Sequence, residues 1–537
     1  MNTTDLRTIP EDTTLSADVA VVGSGPAGFT LAAELDRSGI KVLLIESGDL
    51  ECNAWSESLN ETISVGVPRS TGETRNRALG GTSVTWGGRM TTLSEIDFRQ
   101  RAWVPESGWP IAREALMPYY RRAAEHAGMT IVEPNDALGV LASFVPPPDG
   151  DALLSYLWAY AMHPSLIPDF LRLGARARTL PLPNVQCLLN ATVTHVDTDE
   201  GGRRVQRLEV MAPDRRRRFV TAPHTVLCAG GIENARLLLA SNRVVPAGLG
   251  NEHDLVGRYL MDHPRGLVAR FPNGHQYEVE SLLGDLNLSP SRLPKEARLS
   301  GFRRRTWLTP GYALAPIVQE REALLNAAIF LTLEIADDDP LTALLALASR
   351  QGVSRNLRHL VGHPRVLLDS IGRVARGRQP ARRLAGVYAQ CIVEQSPNAD
   401  SRVTLSEQSD LLGVPMAVVD WRTSEQEART VRRITELFVE LMGDLGLATP
   451  EPAGMITDKD SEFFLPDVAH PSGTTRMAAD PRRGVVDADC AVHGMEGLHV
   501  VGSSVFPTNG HANPTYSVMA LAVRLADRLK ERLRHGS

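Results

Sequence analysis

The sequence predicts an α/β fold, with a Rossmann-type dinucleotide-binding unit at its amino end and a second domain that contains antiparallel strands. Three observations predict it. A short apolar run, a G-x-G-x-x-G turn, a helical stretch and a second apolar run follow one another in "ADVAVVGSGPAGFTLAAELDRSGIKVLLIESG", residues 17–48. Farther on, "GVYAQCIVEQSPNADSRVTLS" and "PMAVVDWRTS" alternate with the period of two expected of antiparallel strands. With 537 residues, the chain exceeds the roughly 250–300 at which single cores stop growing, so at least two domains are expected.

The amino-terminal unit is justified part by part. Residues 19–22 read as a buried strand and 42–45 as a second one, with an amphipathic helix between them ending near Ser38. Gly23 allows a tight turn, Gly25 lets a pyrophosphate approach the backbone, and Gly28 lets the helix pack on the strand. The helix N-terminus offers free N–H groups to an anion. Glu46 follows Gly28 by 18 residues and can accept a ribose hydroxyl hydrogen bond. An acid at this place argues against a 2′-phosphate and therefore against NADP.

Bulk properties exclude several classes. Hydrophobic residues make up 43% and charged residues 22%, ordinary for a globular protein. A net charge of −6 gives no global drive toward nucleic acid or an anionic membrane. The five cysteines are scattered and form no CxxC, which argues against a disulfide framework and a zinc site and suits a reducing compartment. No basic-then-apolar leader opens the chain and no apolar run reaches about 18 residues, so the expected location is the cytoplasm.

The next informative stretch is "RNRALGGTSVTWGGR", residues 75–89. Its paired glycines let backbone run close to a flat ligand, with Thr82, Ser83 and Thr85 supplying hydroxyls beside Trp86. Here the chain resembles the glucose–methanol–choline (GMC) flavin oxidoreductases, whose LGGTS-type segment lies against FAD. The likeness continues in order through "SGWPIAREALMPYYRRAAEHAG", "TVLCAGGIENARLLLAS", "LVGRYLMDHP", "HPSGTTRMAADPRRGVVD" and "LHVVGSSVFPTNGHANPTYSVMALAVRLAD". Among family members, those of the sugar-oxidising, pyranose-oxidase kind are the most similar.

That resemblance implies an FAD-binding Rossmann-type domain assembled from residues 1–145, 185–264 and 466–537. It implies a helical connection or a part of the substrate domain over 146–184, and an α+β substrate domain over 265–465; Pro146-Pro147-Pro148, followed by DGD, reads as a linker or loop mouth. It also implies cofactor contacts from Gly80, Gly81, Thr82, Ser83, Thr85, Trp86, Val193, Gly230, Gly502, Ser503, Pro514 and Thr515, besides Gly23, Gly25, Gly28 and Glu46. Relatives that hold FAD covalently do so through a histidine just before the loop tryptophan. Thr85 stands there, so noncovalent FAD is expected. There is no second G-x-G-x-x-G for a nicotinamide, which disfavours flavin monooxygenases and disulfide reductases.

Chemistry of this kind needs a base for a hydroxyl proton while hydride leaves for flavin N5, and neutral histidine suits the task. In the family that base opens an H-x-x-G-T segment, here His470, and its partner corresponds to Asn513, whose amide can donate to the alcohol oxygen. The backbone at Pro514 and Thr515 starts the last helix and is expected at the flavin pyrimidine edge. His511, more conspicuous in sequence, is expected to pack behind the site, with substrate contact as the lesser alternative. Gln395 is a candidate for meeting a sugar hydroxyl.

The resemblance therefore implies FAD-dependent oxidation of an alcohol on a sugar, glycoside or polyol, with electrons passing to O₂ or another acceptor. The alternatives are a non-carbohydrate alcohol of sterol or polyketide type in secondary metabolism, and a flavin-binding homologue without turnover. Two basic stretches remain. Arg215–Arg218 reads as a solvated hairpin turn. Residues 340–383 carry nine arginines and one acid, Asp369, at helical spacing. The preferred reading is a helical lid over the active site, ahead of docking to a membrane surface, an acidic carrier protein or a phosphorylated substrate.

Overall fold

The computed structural model describes residues 1–67, 74–129, 131–142, 145–162, 171–288, 306–348, 353–376, 378–458 and 463–535. Its first sheet has six strands, all parallel, in the spatial order Asn2–Asp5, Val185–Leu189, Val42–Ile45, Val19–Val22, His224–Leu227 and Leu498–Val500. Three distant stretches of chain thus build one sheet. Its inner strands read VAVV and VLLI, with every residue buried, as expected of parallel strands covered on both faces. The helix Pro26–Asp36 and the last helix, Thr515–His535, pack on each other and on Arg113–Ala127. Tyr516 fixes this contact by donating to the carbonyls of Tyr120 and Val132, at 3.0 Å each.

The second large sheet has eight antiparallel strands. Its main path runs Glu451–Pro452, Arg265–Arg270, Leu384–Val393, Ala327–Ile335, Thr306–Leu314, Leu153–Tyr160 and Arg89–Met90, with Leu286–Leu288 paired to Thr306–Leu314. One face carries Ile329, Val387, Ala389 and Cys391 and packs on Phe438 and Val431 of the helix Glu425–Asp444. The opposite face carries Tyr156, Trp158, Phe330 and Ile392. Tyr156 and Trp158 meet the ring of His511, so this face looks onto the carboxy-terminal loop.

Within residues 146–184, a helix lies at Leu173–Thr179 and Leu153–Tyr160 is a strand of the eight-stranded sheet. Its sequence, LLSYLWAY, alternates large rings with smaller residues and so gives one aromatic face. The strands Arg402–Ser409 and Pro415–Trp421 do not join the substrate sheet. They pair with each other, and Pro415–Trp421 pairs with Thr62–Gly66, while Val403, Val419 and Trp421 are buried in the nucleotide-domain core. The Arg215–Arg218 run is a hairpin turn, yet Arg218 points inward and donates to Asp214 and the Ile9 carbonyl.

Among the described residues between Ala327–Ile335 and Leu384–Val393 lie the helices Pro340–Ala348, Val353–Gly362 and Pro364–Ala375. Val361, Leu368 and Ile371 on them are largely exposed. An apolar stripe that a lid would turn inward is turned outward.

Candidate active site

The carboxyl ends of four neighbouring parallel strands set out the cofactor cradle. Val42–Ile45 ends at Glu46, Val19–Val22 at Gly23, His224–Leu227 just before Gly230, and Leu498–Val500 just before Gly502. In open parallel sheets this edge is where ligands bind. A Cβ at Gly28 would lie 1.9 Å from the Gly23 carbonyl oxygen, so helix and strand touch there as the motif requires. A Cβ at Gly81 would lie 2.8 Å from Gly25 Cα, which places the 80–86 loop directly on the G-x-G-x-x-G turn.

Glu46 is buried, and its carboxylate accepts from the Ser24 amide at 3.0 Å, the Ser24 hydroxyl at 2.6 Å and the Gly48 amide at 2.8 Å. Burial pushes its pKa up against these bonds. A pocket beside it is lined by Gly23, Ser47, Arg77, Val193 and Glu233. Within the loop, Ser83 holds the fold, donating to the Gly80 carbonyl at 2.7 Å and accepting from Leu173 N. Trp86 donates to the Leu171 carbonyl at 2.9 Å. Thr82 and Thr85 are exposed, and the Thr85 hydroxyl donates to Asn76 Oδ1.

His470 opens a segment that runs along residues 503–505. Gly473 N donates to the Ser503 carbonyl, Thr475 N to the Ser504 carbonyl, and the Ser503 hydroxyl to the Pro471 carbonyl. The His470 ring meets a residue that the sequence did not single out: its Nδ1 lies 3.0 Å from Nδ1 of His263. Nε2 of His263 lies 2.9 Å from the Gly510 carbonyl, which can only accept. Nε2 of His263 therefore carries its proton and Nδ1 its lone pair. His263 Nδ1 then accepts from His470 Nδ1–H, which leaves the basic lone pair of neutral His470 on Nε2. His263 is fully buried, and burial lowers its pKa, which keeps this ring neutral.

The same contact ties His470 to the loop 509–515. Asn509 donates to the Asp262 carbonyl at 2.9 Å, while the Asp262 carboxylate accepts from the His470 amide at 3.0 Å. Three residues beyond Gly510, Asn513 is half-buried, and its side-chain amide makes no hydrogen bond among the described residues. Pro514 accepts from Val518 N at the start of the last helix, whose first N–H groups, from Thr515 onward, have no intrahelical acceptor.

His511 lies apart from solvent. It is 1% exposed, its ring is 4.7 Å from Tyr156 and 5.9 Å from Trp158, and neither nitrogen has a hydrogen-bond partner among the described residues. Burial, with His263 nearby, pushes its pKa down to about 3. Its ring fills the space against Tyr156 and Trp158. Gln395 is also closed off. Its Oε1 accepts from Asp262 N and Trp421 Nε1, and its Nε2 donates to the Arg422 carbonyl, all at 2.7 Å, so its amide is committed to the fold.

The polar groups on the open face of the sheet are others. Gln390 stands opposite Phe330 and accepts from the Thr332 hydroxyl at 3.1 Å. The Arg89 guanidinium lies 4.3 Å from the Phe330 ring centre and donates to Tyr160 Oη. A cavity of about 380 Å³ is lined by Arg265, Leu267, Gln390, Phe464 and Val468. Arg265 is two residues from His263 along the chain, and Val468 two from His470.

The GMC oxidoreductase family model matches residues 397–522, and a model described as FAD dependent oxidoreductase matches residues 18–248. These two matches cover the His470 segment, the first turns of the last helix and the glycine cradle. The chain belongs to the GMC oxidoreductases. It is 25% identical to paromamine 6′-oxidase of Streptomyces fradiae, over 95% of this chain and 90% of that one. It is 24% identical to the fructose dehydrogenase large subunit of Gluconobacter japonicus, over 97% and 99%. A solved fungal aryl-alcohol oxidase shares the fold at a TM-score of 0.59, with 17% identity over 98% of this chain and 100% of that one.

As a GMC oxidoreductase the protein is an FAD-dependent enzyme of CH–OH donors. The cradle fits that cofactor. Its glycine backbones touch where a pyrophosphate needs close approach, and the buried acid Glu46 stands at the strand end where a ribose binds. Sequence reasoning missed His263 and the Arg89–Phe330–Gln390 wall. It also missed the ion-pair cluster at the pocket beside Glu46, where Glu233 pairs with Arg75 at 2.9 Å, Arg77 at 3.0 Å and Arg236 at 3.1 Å. The R-x-R at 75–77 and E-x-x-R at 233–236 were the available signals.

Proposed function

We propose that this GMC oxidoreductase oxidises a CH–OH group of a sugar, glycoside or related polyol to the carbonyl, using noncovalently held FAD. The observation that carries the reading is the His263–His470 contact, because it assigns the lone pair of His470 to Nε2. From that nitrogen His470 takes the hydroxyl proton of the substrate. Assistance of this kind is worth about 10²–10⁴ in rate. Asn513 donates its amide N–H to the substrate oxygen and orients it. The N-terminus of the last helix, at Pro514 and Thr515, stabilises negative charge beside it. When bound, the flavin supplies the hydride acceptor, and O₂ or another acceptor removes the electrons.

The substrate class is supported by the sheet wall. Arg89, Thr332 and Gln390, all half-buried, offer donors and acceptors for hydroxyls, with Arg89 held over the buried Phe330 ring. The similar aminoglycoside oxidase and fructose dehydrogenase act on molecules of that class. Noncovalent attachment is supported by Thr85, an exposed hydroxyl whose partner is Asn76.

The test is anaerobic titration of the yellow holoenzyme with sugars, aminoglycosides, aryl alcohols and sterols. Bleaching by a polyhydroxylated substrate and not by sterols is the expected result. Bleaching by sterols alone would refute the substrate class. Acid precipitation should leave free FAD in the supernatant; colour kept by the pellet would refute noncovalent binding.

A further inference from the structure

We propose that the helices Val353–Gly362 and Pro364–Ala375 dock this protein on an anionic lipid bilayer surface. Val361, Ile371 and Leu368 are the three most exposed large hydrophobic side chains among the described residues, at 79%, 70% and 67%. They are not scattered. Leu357 and Val361 are four apart on one helix, and Pro364, Leu368, Ile371 and Ala375 follow at spacings of four, three and four on the next. All six are exposed, so one apolar stripe runs across both helices.

The structure holds this stripe outward. Arg373 makes a buried two-pronged pair with Glu280, Arg382 pairs with Asp339 at 2.9 Å, and Arg383 with Asp338 at 2.6 Å. Arg378 donates to the carbonyls of Gly284 and Leu282. These four arginines pin the base of the insertion to the substrate domain. Arg358, Arg365 and Arg376 are exposed alongside the stripe, and Asp369 is the only acid between residues 340 and 383.

An outward apolar stripe flanked by arginines is the make-up of helices that lie in a membrane interface. Charge decides between the possible occupants. A second copy in a two-fold contact would set Arg365 and Arg376 against the same arginines, and like charges repel. An anionic bilayer accepts both the stripe and the arginines. With a net charge of −6 the remainder of the protein is repelled by such a surface, so this patch also sets the orientation. Among the described residues no helix is long and apolar enough to cross a membrane, so the contact is peripheral.

The experiment is flotation of the full-length holoenzyme with vesicles of phosphatidylcholine, with and without phosphatidylglycerol. Binding is expected only with phosphatidylglycerol and should weaken with added salt. Val361→Asp with Leu368→Asp, or Arg365→Glu with Arg376→Glu, should each cut the bound fraction roughly tenfold. Both pairs are exposed, so FAD content and turnover of a soluble substrate should stay unchanged. Absence of binding to the anionic vesicles, or binding that none of these changes weakens, overturns the proposal. So does a dimer in light scattering that the apolar pair converts to monomer, because a second copy would then cover the stripe.

Discussion

His263 and His470 face each other Nδ1 to Nδ1 at 3.0 Å, with His263 anchored through Nε2 to the Gly510 carbonyl. One ring thereby decides which nitrogen of the other is basic. Replacing His263 by Ala frees the His470 tautomer and removes its tie to the 509–515 loop. The anaerobic rate of flavin reduction should fall about 10²-fold, with FAD content kept. His263→Asn keeps an oxygen that can accept from His470 Nδ1 and should recover part of the loss. A His263→Ala enzyme reduced at the wild-type rate would show that His470 needs no such partner.

His470→Ala should remove substrate-driven flavin reduction while FAD stays bound, whereas His511→Ala should act mainly through packing. His511 fills the space between Tyr156, Trp158 and the loop and offers no open edge. The comparison is read by single-turnover reduction beside a urea midpoint. Loss of reduction in the His511 variant alone, at unchanged stability, would reverse the two assignments.

Gly28→Ala should yield protein that no longer retains FAD, because the new Cβ would fall 1.9 Å from the Gly23 carbonyl oxygen. Gly443→Ala is the counterpart. It lies within the helix Glu425–Asp444, and nothing approaches its Cβ position within 4 Å. It should leave the flavin spectrum intact and raise stability by up to about 1 kcal/mol. Flavin absorbance per protein after gel filtration checks the first, and urea unfolding the second. Full flavin retention by Gly28→Ala would mean the turn can open at no cost.

The nucleotide half was legible in the sequence because its constraints are local. A strand buried on both faces reads as an unbroken apolar run, and a glycine with a carbonyl under its Cβ position admits little else. The substrate half was less legible because its groups meet across long separations. The His263–His470 contact spans 207 residues and leaves no periodic trace. Gln390 and Gln395 look alike in sequence, yet Gln390 lies within the strand Leu384–Val393 and Gln395 beyond its end. Strand parity separates side chains that face a cavity from those that do not only when the strand's end is known.

That difference is itself testable. Gln395→Ala strips the acceptor from Trp421 Nε1 and the Asp262 amide, both buried, and should lower stability by about 3 kcal/mol. Gln390→Ala should leave the urea midpoint nearly unchanged and raise KM for a polyhydroxylated substrate by about tenfold. The opposite pattern, with Gln395→Ala stable and impaired only in KM, would return Gln395 to the substrate wall.

Acid stability should follow two buried histidines. Burial, with His224 nearby, pushes His499 down to about 3, and burial with His263 nearby does the same to His511. Each is neutral in the folded protein at any pH well above 3. In the unfolded chain each takes a proton below about pH 6.5. The unfolded state therefore binds more protons than the folded state between those limits, so stability is intact above about pH 6.5 and falls as pH drops toward 3. The slope approaches about 1.4 kcal/mol per pH unit for each histidine. Other buried groups act in that window: His263, also lowered by burial, adds to the decline, while Asp97, raised to about 7 by burial and the nearby Glu394, opposes it because there the folded state binds the extra proton. Urea midpoints measured across that window should fall less with acid in His499→Phe than in wild type. A profile that His499→Phe leaves as steep would place the acid sensitivity in other groups.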